Sequence, residues 1–444
     1  MRNLLLYILC ISFFYSCSQN DFVQISGRVE NADSTINIWV DDSVYTFLLD
    51  ENKCFSGSIK MKRSGYATLM NNSLNLYLAP GQDLEIYANE ANFLSSLYFR
   101  GSLGGINGYL KEQEVATFFD RDDYELPDTV FLSKMNALID EKLKLLKAKN
   151  FDEYFTSLES ERIRYSIAAL VSFYPIYHKQ IRTDKVYRSS PALNKFISSF
   201  SIQKDELFGS KDYRTFLLNY VYLKGGRGNR YQENDSNGIV DYVLSTISNA
   251  SVRNFLLTEI VFRHIRDHNG LNGADYLLSV FRKECTDKSN ISYIEKLVDL
   301  WENITVGKVA PDFTALTLDG SKVSLSDFNG SYVYIMVWAS WCVPCKSELV
   351  YLHFIHDKYF DRNIKFITVS MDDLQSSSKW KSYLKLHPTS GLHTIIEAKS
   401  EFAKKYMIIS VPRFIFISPD GKIINSNAPR PSGQMLQYLE SFQV

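Results

Sequence analysis

Three successive patterns of hydrophobic and polar positions divide the chain. Between residues 22 and 101, short runs alternate apolar and polar residues and are separated by turn residues, which is typical of strands with one buried face. Between residues 107 and 304, apolar residues recur every three or four positions, which indicates amphipathic helices. From residue 307 to 444, short apolar runs alternate with helical segments. The sequence therefore predicts a small all-β, sandwich-like domain, a helical middle domain and a C-terminal α/β domain whose sheet is covered on both faces.

These patterns also predict the individual elements. The strands predicted in the first domain are residues 23–29, 36–40, 45–49, 54–59, 66–70, 74–78 and 84–87. The helices predicted in the middle domain are residues 131–146, 160–174, 192–200, 212–223, 238–247, 252–268, 274–285 and 291–304. Because proline lacks a backbone N–H group, we expect Pro175 to break the second of these helices. The C-terminal domain is predicted to contain strands at 314–318, 332–338, 364–370, 394–396, 413–417 and 422–425, and helices at 346–359, 377–386, 400–406 and 433–442.

The first residues have the pattern of an export signal. Arg2 is followed by an apolar run, residues 4–15, that is too short to span a bilayer, and Ser16 stands directly before Cys17. A small residue before a cysteine resembles the lipobox of bacterial lipoproteins, whose signal is cut before the cysteine, which is then acylated. The resemblance implies that residues 1–16 are removed and that Cys17 carries lipid. An ordinary cleaved signal and an uncleaved anchor are the alternatives.

Composition and charge narrow the function classes. With 45% hydrophobic and 22% charged residues, the 444-residue chain is a folded protein without a large disordered tract. Its formal net charge of −1 gives no bulk electrostatic attraction to nucleic acid or to an anionic membrane surface. We therefore expect no nucleic-acid partner.

The cysteines suggest redox chemistry. If Cys10 leaves with the signal and Cys17 is acylated, four of the 6 cysteines remain as candidate thiols, namely Cys54, Cys285, Cys342 and Cys345. Only the last two are close in sequence. Cys54 and Cys285 are expected to be small buried apolar residues, although a bridge between them stays open as an alternative.

The two close cysteines flank Val343 and Pro344, between the strand predicted at 332–338 and the helix predicted at 346–359. At the start of a helix, the first sulfur lies beside unpaired backbone N–H groups and the positive end of the helix dipole, which favours the thiolate. The second sulfur follows one turn later. Such a pair can attack a disulfide with one sulfur and resolve the mixed disulfide with the other.

Further motifs surround this pair. They are Ala310-Pro311-Asp312-Phe313, Asp319-Gly320, Leu325-Ser326-Asp327-Phe328-Asn329-Gly330, Trp338-Ala339-Ser340-Trp341-Cys342-Val343-Pro344-Cys345, Glu348, Val411-Pro412 and Ser418-Pro419-Asp420-Gly421-Lys422. Through them, residues 307–444 resemble thioredoxin-fold redoxins of the TlpA and ResA type, also labelled AhpC/TSA redoxins. The β region, through Leu78-Ala79-Pro80-Gly81-Gln82-Asp83-Leu84 and Phe99-Arg100-Gly101, resembles an uncharacterised domain that often precedes thioredoxin-like domains in Gram-negative lipoproteins.

The redoxin resemblance implies roles for individual residues. It makes Cys342 the exposed attacking thiol and Cys345 the shielded resolving thiol. Pro412 is expected to form a cis peptide after Val411, whose backbone would pair with an extended substrate segment. Trp341 is expected to pack beside the disulfide and limit the access of water.

Glu348 is the candidate proton carrier. It lies three residues after Cys345, on the same helix face, and in the resembling reductases a glutamate at this place assists proton transfer at the resolving thiol. The alternative is an ordinary first-turn acid stabilised by the helix dipole. The strand position that carries a buried acid in ordinary thioredoxins holds Met336 here, which cannot take a proton.

Together these features predict a thiol-disulfide oxidoreductase of the cell envelope, anchored to a membrane by lipid, that reduces cysteine pairs in exported proteins. Its redox group would be the Cys342–Cys345 disulfide, with no other cofactor and no metal, because His353 and His356 fit a partly exposed helix face better than a metal site. Its partners would be dithiol or disulfide proteins of the envelope and a thiol electron donor.

Two other functions are weighed against this one. A thiol peroxidase needs Thr or Ser three residues before the reactive cysteine and Pro seven before it, where this chain has Ala339 and Ile335. The other alternative is a non-catalytic envelope lipoprotein for binding or assembly. The intact cysteine pair together with Pro412 argues against it.

Overall fold

The structure is a computed structural model, which describes residues 21–32, 34–40, 43–69, 74–115, 120–181, 188–226, 235–373, 377–397 and 400–442. The chain divides into two compact units, residues 1–256 and 257–444. The predicted middle domain, residues 107–304, is therefore shared between the two units. Residues 1–16 and Cys17 lie outside the described residues, so the export signal and the lipidation stay predictions.

The first unit begins with a β region. Its strands are β1 (Phe22–Glu30), β2 (Thr35–Val40), β3 (Ser43–Leu48), β4 (Cys54–Lys60), β5 (Gly65–Leu69), β6 (Leu74–Leu78), β7 (Asp83–Asn89) and β8 (Tyr98–Arg100). The described strands form two four-stranded sheets, ordered β4-β1-β7-β8 and β3-β2-β5-β6. Phe47 of β3 and Phe55 of β4 join the two sheets, with ring centroids 5.8 Å apart. The sandwich-like fold predicted from the alternating pattern is confirmed.

The next helices are α1 (Phe93–Ser96), which lies between β7 and β8, and, after the sheets, α2 (Gly104–Val115), α3 (Asp128–Ala148), α4 (Glu153–Ile181), α5 (Pro191–Ser198), α6 (Lys211–Gly225), α7 (Ser236–Thr246) and α8 (Ala250–Asp267). The break expected at Pro175 is wrong, because α4 continues through the proline. A proline inside a helix costs about 3 kcal/mol. Aromatic packing offsets this cost, since buried Tyr174 stacks on His178 and contacts Phe131 with ring centroids 4.9 and 4.4 Å away.

Within the first unit the helices cover one of the sheets. All five residues of the edge strand β6 are buried. Tyr77 of β6 packs edge-on against Phe155 of α4, with ring centroids 4.8 Å apart. The side-chain amide of Asn107 in α2 accepts from the Tyr77 N–H group at 2.8 Å and donates to the Tyr77 carbonyl at 2.9 Å. Asn107 therefore occupies the free backbone groups of an edge strand that would otherwise be open to pairing.

A buried ionic network also joins β5, α4 and α6. The Arg162 guanidinium donates to both oxygens of Glu159, each at 2.7 Å, and also to Asp212. The Tyr66 hydroxyl donates to Glu159 at 2.5 Å, and the Asn75 amide donates to Asp212 at 2.9 Å. Glu159 and Arg162 are almost fully buried. Each buried charge therefore has an opposite charge and several hydrogen bonds.

The second unit carries the C-terminal sheet. After α8 its elements are α9 (Asp275–Glu284), α10 (Lys288–Glu302), β9 (Thr314–Thr317), β10 (Lys322–Ser324), β11 (Tyr332–Trp338), α11 (Val343–Lys358), β12 (Ile364–Ser370), α12 (Ser377–Leu386), β13 (Leu392–Ile395), α13 (Glu401–Lys405), β14 (Arg413–Ile417), β15 (Ile423–Asn425) and α14 (Met435–Glu440). The described strands form a seven-stranded sheet, ordered β10-β9-β13-β12-β11-β14-β15.

The centre of this sheet is a βαβ unit followed by a hairpin. Strands β11, β12 and β13 are parallel, while β14 pairs antiparallel with β11 and β15 pairs antiparallel with β14. One buried cluster joins α11 and α14 to a face of the sheet and includes Leu349, Leu352, Ile355, Met435, Leu439, Tyr334, Met336 and Phe414. This arrangement is the thioredoxin fold, and the predicted fold class is confirmed.

Among the described residues, no helix has both the length and the apolar character that crossing a membrane requires.

Replacing Arg162 with leucine should destabilise the first unit by about 3–5 kcal/mol, because Glu159 and Asp212 would lose the cation that compensates them. The free energy of unfolding of this unit is measured by urea titration, in which hydrogen–deuterium exchange of peptides from α4 monitors unfolding. The matched control is Arg164→Leu, an exposed arginine on the same helix, for which we expect a change within about 0.5 kcal/mol. Equal effects of the two variants would show that the ionic network adds nothing to stability.

Candidate active site

The two cysteines lie where β11 ends and α11 begins. Residues 333–338 of β11 are buried, so the strand carries the chain through the core to its carboxyl end. Cys342 is the N-cap of α11, and Pro344 lies in the first turn, where its missing N–H group would have no helical partner. The Cys345 N–H group points at the Cys342 sulfur at 3.3 Å. An amide donor at a helix start is therefore already directed at the attacking sulfur.

Cys342 and Cys345 form a disulfide with their Cα atoms 5.3 Å apart. Cys342 is 5% exposed and Cys345 is fully buried. The resemblance implies an exposed Cys342, but in this oxidised state most of its surface is covered, because its sulfur faces Cys345 and the Val411 carbonyl. Cys342 is still the more accessible of the two, and its role as attacking thiol stays a prediction.

The chain before β14 faces the disulfide. The Val411–Pro412 peptide bond is cis, as the resemblance implies. The Val411 carbonyl oxygen lies 3.7 Å from the Cys342 sulfur. Because β14 begins at Arg413, Val411 is outside the regular pairing of the sheet. The structure thus brings Val411 and Pro412 to the dithiol.

Trp341 lies at the rim of the site. It is 69% exposed, so only a minor part of its ring can lie against the disulfide, and the expected shield against water is at most partial. Val343, on the other side of Cys342 in the chain, is 72% exposed. The surface next to the dithiol is therefore apolar and open to a partner.

Glu348 lies on the buried face of α11, one turn after Cys345, and is 5% exposed. One carboxylate oxygen accepts from the Ser432 hydroxyl at 2.8 Å, and the other accepts from the Ser432 N–H group at 3.0 Å. Burial, followed by the charge of Glu348, raises the pKa of Tyr334 well above its ordinary value. Glu348 is therefore a fixed carboxylate inside the domain, whose proton-carrying role stays a prediction.

Sequence reasoning missed Ser432, because 84 residues separate it from Glu348. It belongs to the loop between β15 and α14, residues 426–434. The same loop receives a hydrogen bond from the Tyr334 hydroxyl at the Pro429 carbonyl, 2.8 Å away, and donates from the Ala428 N–H group to the Phe414 carbonyl at 3.0 Å. These contacts hold the loop to β11 and β14, and Ser432 itself meets α11 through Glu348.

Asp372 is a second residue that sequence reasoning missed. It is 4% exposed and lies just after β12. Its carboxylate accepts from the N–H group and hydroxyl of Ser340, at 2.8 and 2.7 Å, and from the Ser370 hydroxyl at 2.6 Å. It therefore fixes the turn that leads to Trp341 and Cys342. An acid directly after a buried parallel strand is the signal that could have revealed it, because the carboxyl ends of parallel strands meet at one edge of the sheet.

The histidines weighed as metal ligands and the two remaining thiols each have surroundings of their own. In the part of the chain that the structure describes, no group of three or more His, Cys, Asp or Glu residues could hold a metal ion. His353 bonds to Ser390 through its Nδ1 atom at 2.8 Å. Cys54 and Cys285 are free thiols. Burial raises the pKa of Cys285, so this thiol stays protonated at neutral pH.

Comparisons with known proteins agree with the thiol chemistry of this site. Residues 306–426 match the sequence profile of the AhpC/TSA family. The thiol-disulfide oxidoreductase ResA of Bacillus thuringiensis subsp. konkukian is 29% identical over 140 residues, which cover 31% of this chain and 79% of that protein. ResA of Oceanobacillus iheyensis is 32% identical over 124 residues, which cover 27% of this chain and 62% of that protein.

Among solved structures, the thioredoxin domain of a thiol-disulfide oxidoreductase from Bacteroides vulgatus is similar, with 27% identity, a TM-score of 0.29, and coverage of 31% of this chain and 97% of that one. The matched family region lies within the second unit. The C-terminal part of the chain therefore carries an AhpC/TSA family domain.

Replacing Asp372 with alanine should loosen the turn before Cys342, because the Ser340 N–H group would lose its acceptor. A buried donor left without a partner costs about 1–3 kcal/mol, so the Ser340 amide should exchange its hydrogen roughly tenfold faster or more. Hydrogen–deuterium exchange of the peptide that contains Ser340 measures this. Asp361→Ala, at an exposed position of the same unit, is the control and should leave the exchange unchanged. Unaltered exchange in the Asp372 variant would contradict the anchoring role.

Proposed function

We propose that this protein is a thiol-disulfide oxidoreductase of the cell envelope that reduces cysteine pairs in exported proteins. The observation that carries the proposal is the Cys342–Cys345 disulfide at the start of α11, with the Cys345 N–H group directed at the Cys342 sulfur and the Val411 carbonyl opposite it. The names of the similar ResA proteins support the same chemistry.

In the proposed reaction the dithiol starts reduced. The Cys342 thiolate attacks one sulfur of a substrate disulfide, whose S–S bond breaks, and the second substrate sulfur leaves and takes a proton. A mixed disulfide now joins Cys342 to the substrate. Cys345 then loses its proton and attacks the Cys342 sulfur, which breaks the mixed disulfide and forms the disulfide seen in the structure; the substrate sulfur that Cys342 had attacked leaves and takes a proton. Two electrons pass to the substrate, and a thiol electron donor restores the dithiol.

Glu348 is proposed to accept the proton that Cys345 loses when it attacks. It lies on the same buried helix face, one turn further, and its carboxylate is fixed by Ser432. Since Met336 stands where ordinary thioredoxins carry an acid, it cannot perform this step. Glu348 is thus the buried carboxylate that we assign to the resolving thiol.

Trp341 and Val411 are proposed to bind the substrate. The open face of Trp341 offers apolar contact beside the thiol. Val411 precedes β14 and offers backbone groups to an extended segment, which would add to the site as a strand adds to a sheet edge. This mode suits a partly unfolded exported protein, whose cysteine pairs are accessible.

The compartment is proposed from the N-terminal sequence. Residues 1–16 would direct export, and Cys17 would carry the lipid that anchors the chain to a membrane. Outside the cytoplasm, cysteine pairs oxidise, so a protein that must keep two thiols free needs a reductant there. The β region would be the uncharacterised domain that often precedes redoxin domains in such lipoproteins.

Replacing Cys342 with serine should reduce disulfide reduction by the purified protein to the uncatalysed rate, because the attacking sulfur is gone. The rate is measured with a disulfide-bonded test protein and dithiothreitol as electron donor. Cys54→Ser, which removes a free thiol in the other unit, should keep full activity. Activity that persists in Cys342→Ser would refute the proposal, and faster turnover of hydrogen peroxide than of disulfides would favour a thiol peroxidase instead.

Replacing Cys345 with serine should trap the substrate, because the mixed disulfide at Cys342 can no longer be resolved. Mass spectrometry of the trapped species in envelope extracts then identifies the partners. We expect exported proteins with cysteine pairs, and we expect none of them in the double variant Cys342→Ser/Cys345→Ser. Trapping of cytoplasmic proteins alone in intact cells would contradict the envelope location.

A further inference from the structure

Arg413 is a buried cation that follows the cis proline directly. It is 2% exposed and opens β14, where every other residue is apolar. It pairs across the sheet with Val337, so it lies on the same face as Val337, opposite the face on which Phe414 joins the cluster beneath α11. The mechanism described above gives it no role.

Only part of the guanidinium is satisfied. Its Nε atom donates to the Ser426 carbonyl at 2.7 Å, and its carbon atom lies 5.0 Å from the ring centroid of Trp301 in α10. Nη1 and Nη2 are buried and have no hydrogen-bond partner among the described residues. No described carboxylate forms an ion pair with Arg413 either. This cation differs in that respect from Arg162, whose charge is matched by Glu159 and Asp212.

Such a charge is unfavourable for stability. Burial lowers the pKa of Arg413 to about 10, so the side chain is still protonated at neutral pH. An apolar side chain of similar volume often leaves a protein equally stable or more stable than a buried charge does. Packing alone therefore does not account for a guanidinium at this place.

Arg413 is close in sequence to Val411, whose carbonyl faces the attacking sulfur. The Val411 carbonyl lies 3.7 Å from that sulfur, and Arg413 is two residues further, a span of at most about 7 Å of chain. An extended arginine side chain adds roughly as much again, so the guanidinium is at most roughly 18 Å from the sulfur, and a unit charge at roughly 10–18 Å with an effective dielectric constant near 20 shifts a thiol by about one pKa unit. A cation favours the thiolate.

We propose that Arg413 is a positioning residue that makes Cys342 the more acidic thiol of the pair through the field of its uncompensated charge. The proposal rests on the proposed function, in which Cys342 attacks as a thiolate. Glu348 acts in the opposite sense on the other thiol, because a carboxylate one turn from Cys345 disfavours a second negative charge there. The two buried charges would thus make two similar cysteines unequal.

Other charged groups lie on the segments that hold the dithiol. They are Asp372, whose carboxylate holds Ser340, Glu348, which is held by Ser432, and Lys346, which follows Cys345 in α11 and whose ammonium group lies 4.9 Å from the ring centroid of Tyr383. The amide donors at the start of α11 add a partial positive charge beside the Cys342 sulfur. All of them are retained in variants of Arg413. A change in thiol acidity between such variants therefore reports on Arg413 itself.

The test separates charge from shape. In Arg413→Met the cation is lost while an apolar chain of similar length remains, and in Arg413→Lys the charge remains while the bonding geometry is lost. The reduced full-length protein is alkylated with iodoacetamide from pH 5 to 10, and tandem mass spectrometry assigns the rate at Cys342. We expect the Cys342 pKa to rise by about one unit in Arg413→Met and to stay within about 0.3 units in Arg413→Lys.

The rate itself gives a second readout. Below the thiol pKa, a rise of one unit lowers the thiolate fraction about tenfold, and the greater nucleophilicity of a more basic thiolate restores about threefold, so alkylation should slow by about threefold. Equal shifts in the methionine and lysine variants, or no shift in Arg413→Met, would overturn the proposal and leave Arg413 a structural residue. If Arg413→Met fails to fold by circular dichroism, Arg413→Gln decides between the same outcomes.

This measurement needs no protein substrate. If Cys342→Ser still reduced disulfides, the proposed function would fail while the acidity of Cys342 could still depend on Arg413. If the acidity does not change, the proposed function stands and only the role of Arg413 is refuted.

Discussion

The register between β11 and β14 fixes the active site. Val337 pairs with Arg413, so Cys342 comes five residues after that pair on one strand, while Val411 comes two residues before it on the other. A shift of one residue would turn the side chains of β14 to the opposite faces of the sheet. It would also move the Val411 carbonyl away from the sulfur. Since all five residues of β14 are buried, apolar packing on both faces holds this register.

Buried charged side chains have two different kinds of surroundings in this protein. In the first unit, Glu159, Arg162 and Asp212 neutralise one another, and neighbouring polar groups complete their hydrogen bonds. In the second unit, by contrast, Glu348 and Arg413 are buried and form no ion pair with any described residue. Glu348 is fixed by a serine and Arg413 by one backbone carbonyl and an aromatic ring. An isolated buried charge is less favourable for stability but projects a stronger field, which suits a site that must control the protonation of thiols.

Periodicity predicted the sheet of the second unit closely, because strands that are buried on both faces are short, continuous apolar runs. The strands at 332–338, 364–370 and 413–417 have the predicted bounds. The motif likewise predicted where the dithiol lies relative to α11. Contacts between distant segments could not be predicted, since nothing near Glu348 in sequence indicates Ser432, and the pattern of β12 does not show that Asp372 reaches Ser340. Local rules also failed at Pro175, where packing of Tyr174 outweighs the propensity of proline.

A dithiol that reduces other proteins needs two thiols with different protonation states. The attacking sulfur must be ionised before it meets a disulfide, whereas the resolving sulfur must keep its proton until the mixed disulfide has formed. The two cysteines of the motif are only 5.3 Å apart at Cα, and both are buried. Their small difference in solvent exposure alone therefore gives only a small difference in thiol acidity. Charges of opposite sign on the two sides of the pair separate them far better, because a cation near Cys342 and an anion near Cys345 each favour the state that the corresponding step requires. In the proposed mechanism, the difference between the two thiols therefore comes from buried groups contributed by β14 and α11, in addition to the amide donor that the motif itself directs at the Cys342 sulfur.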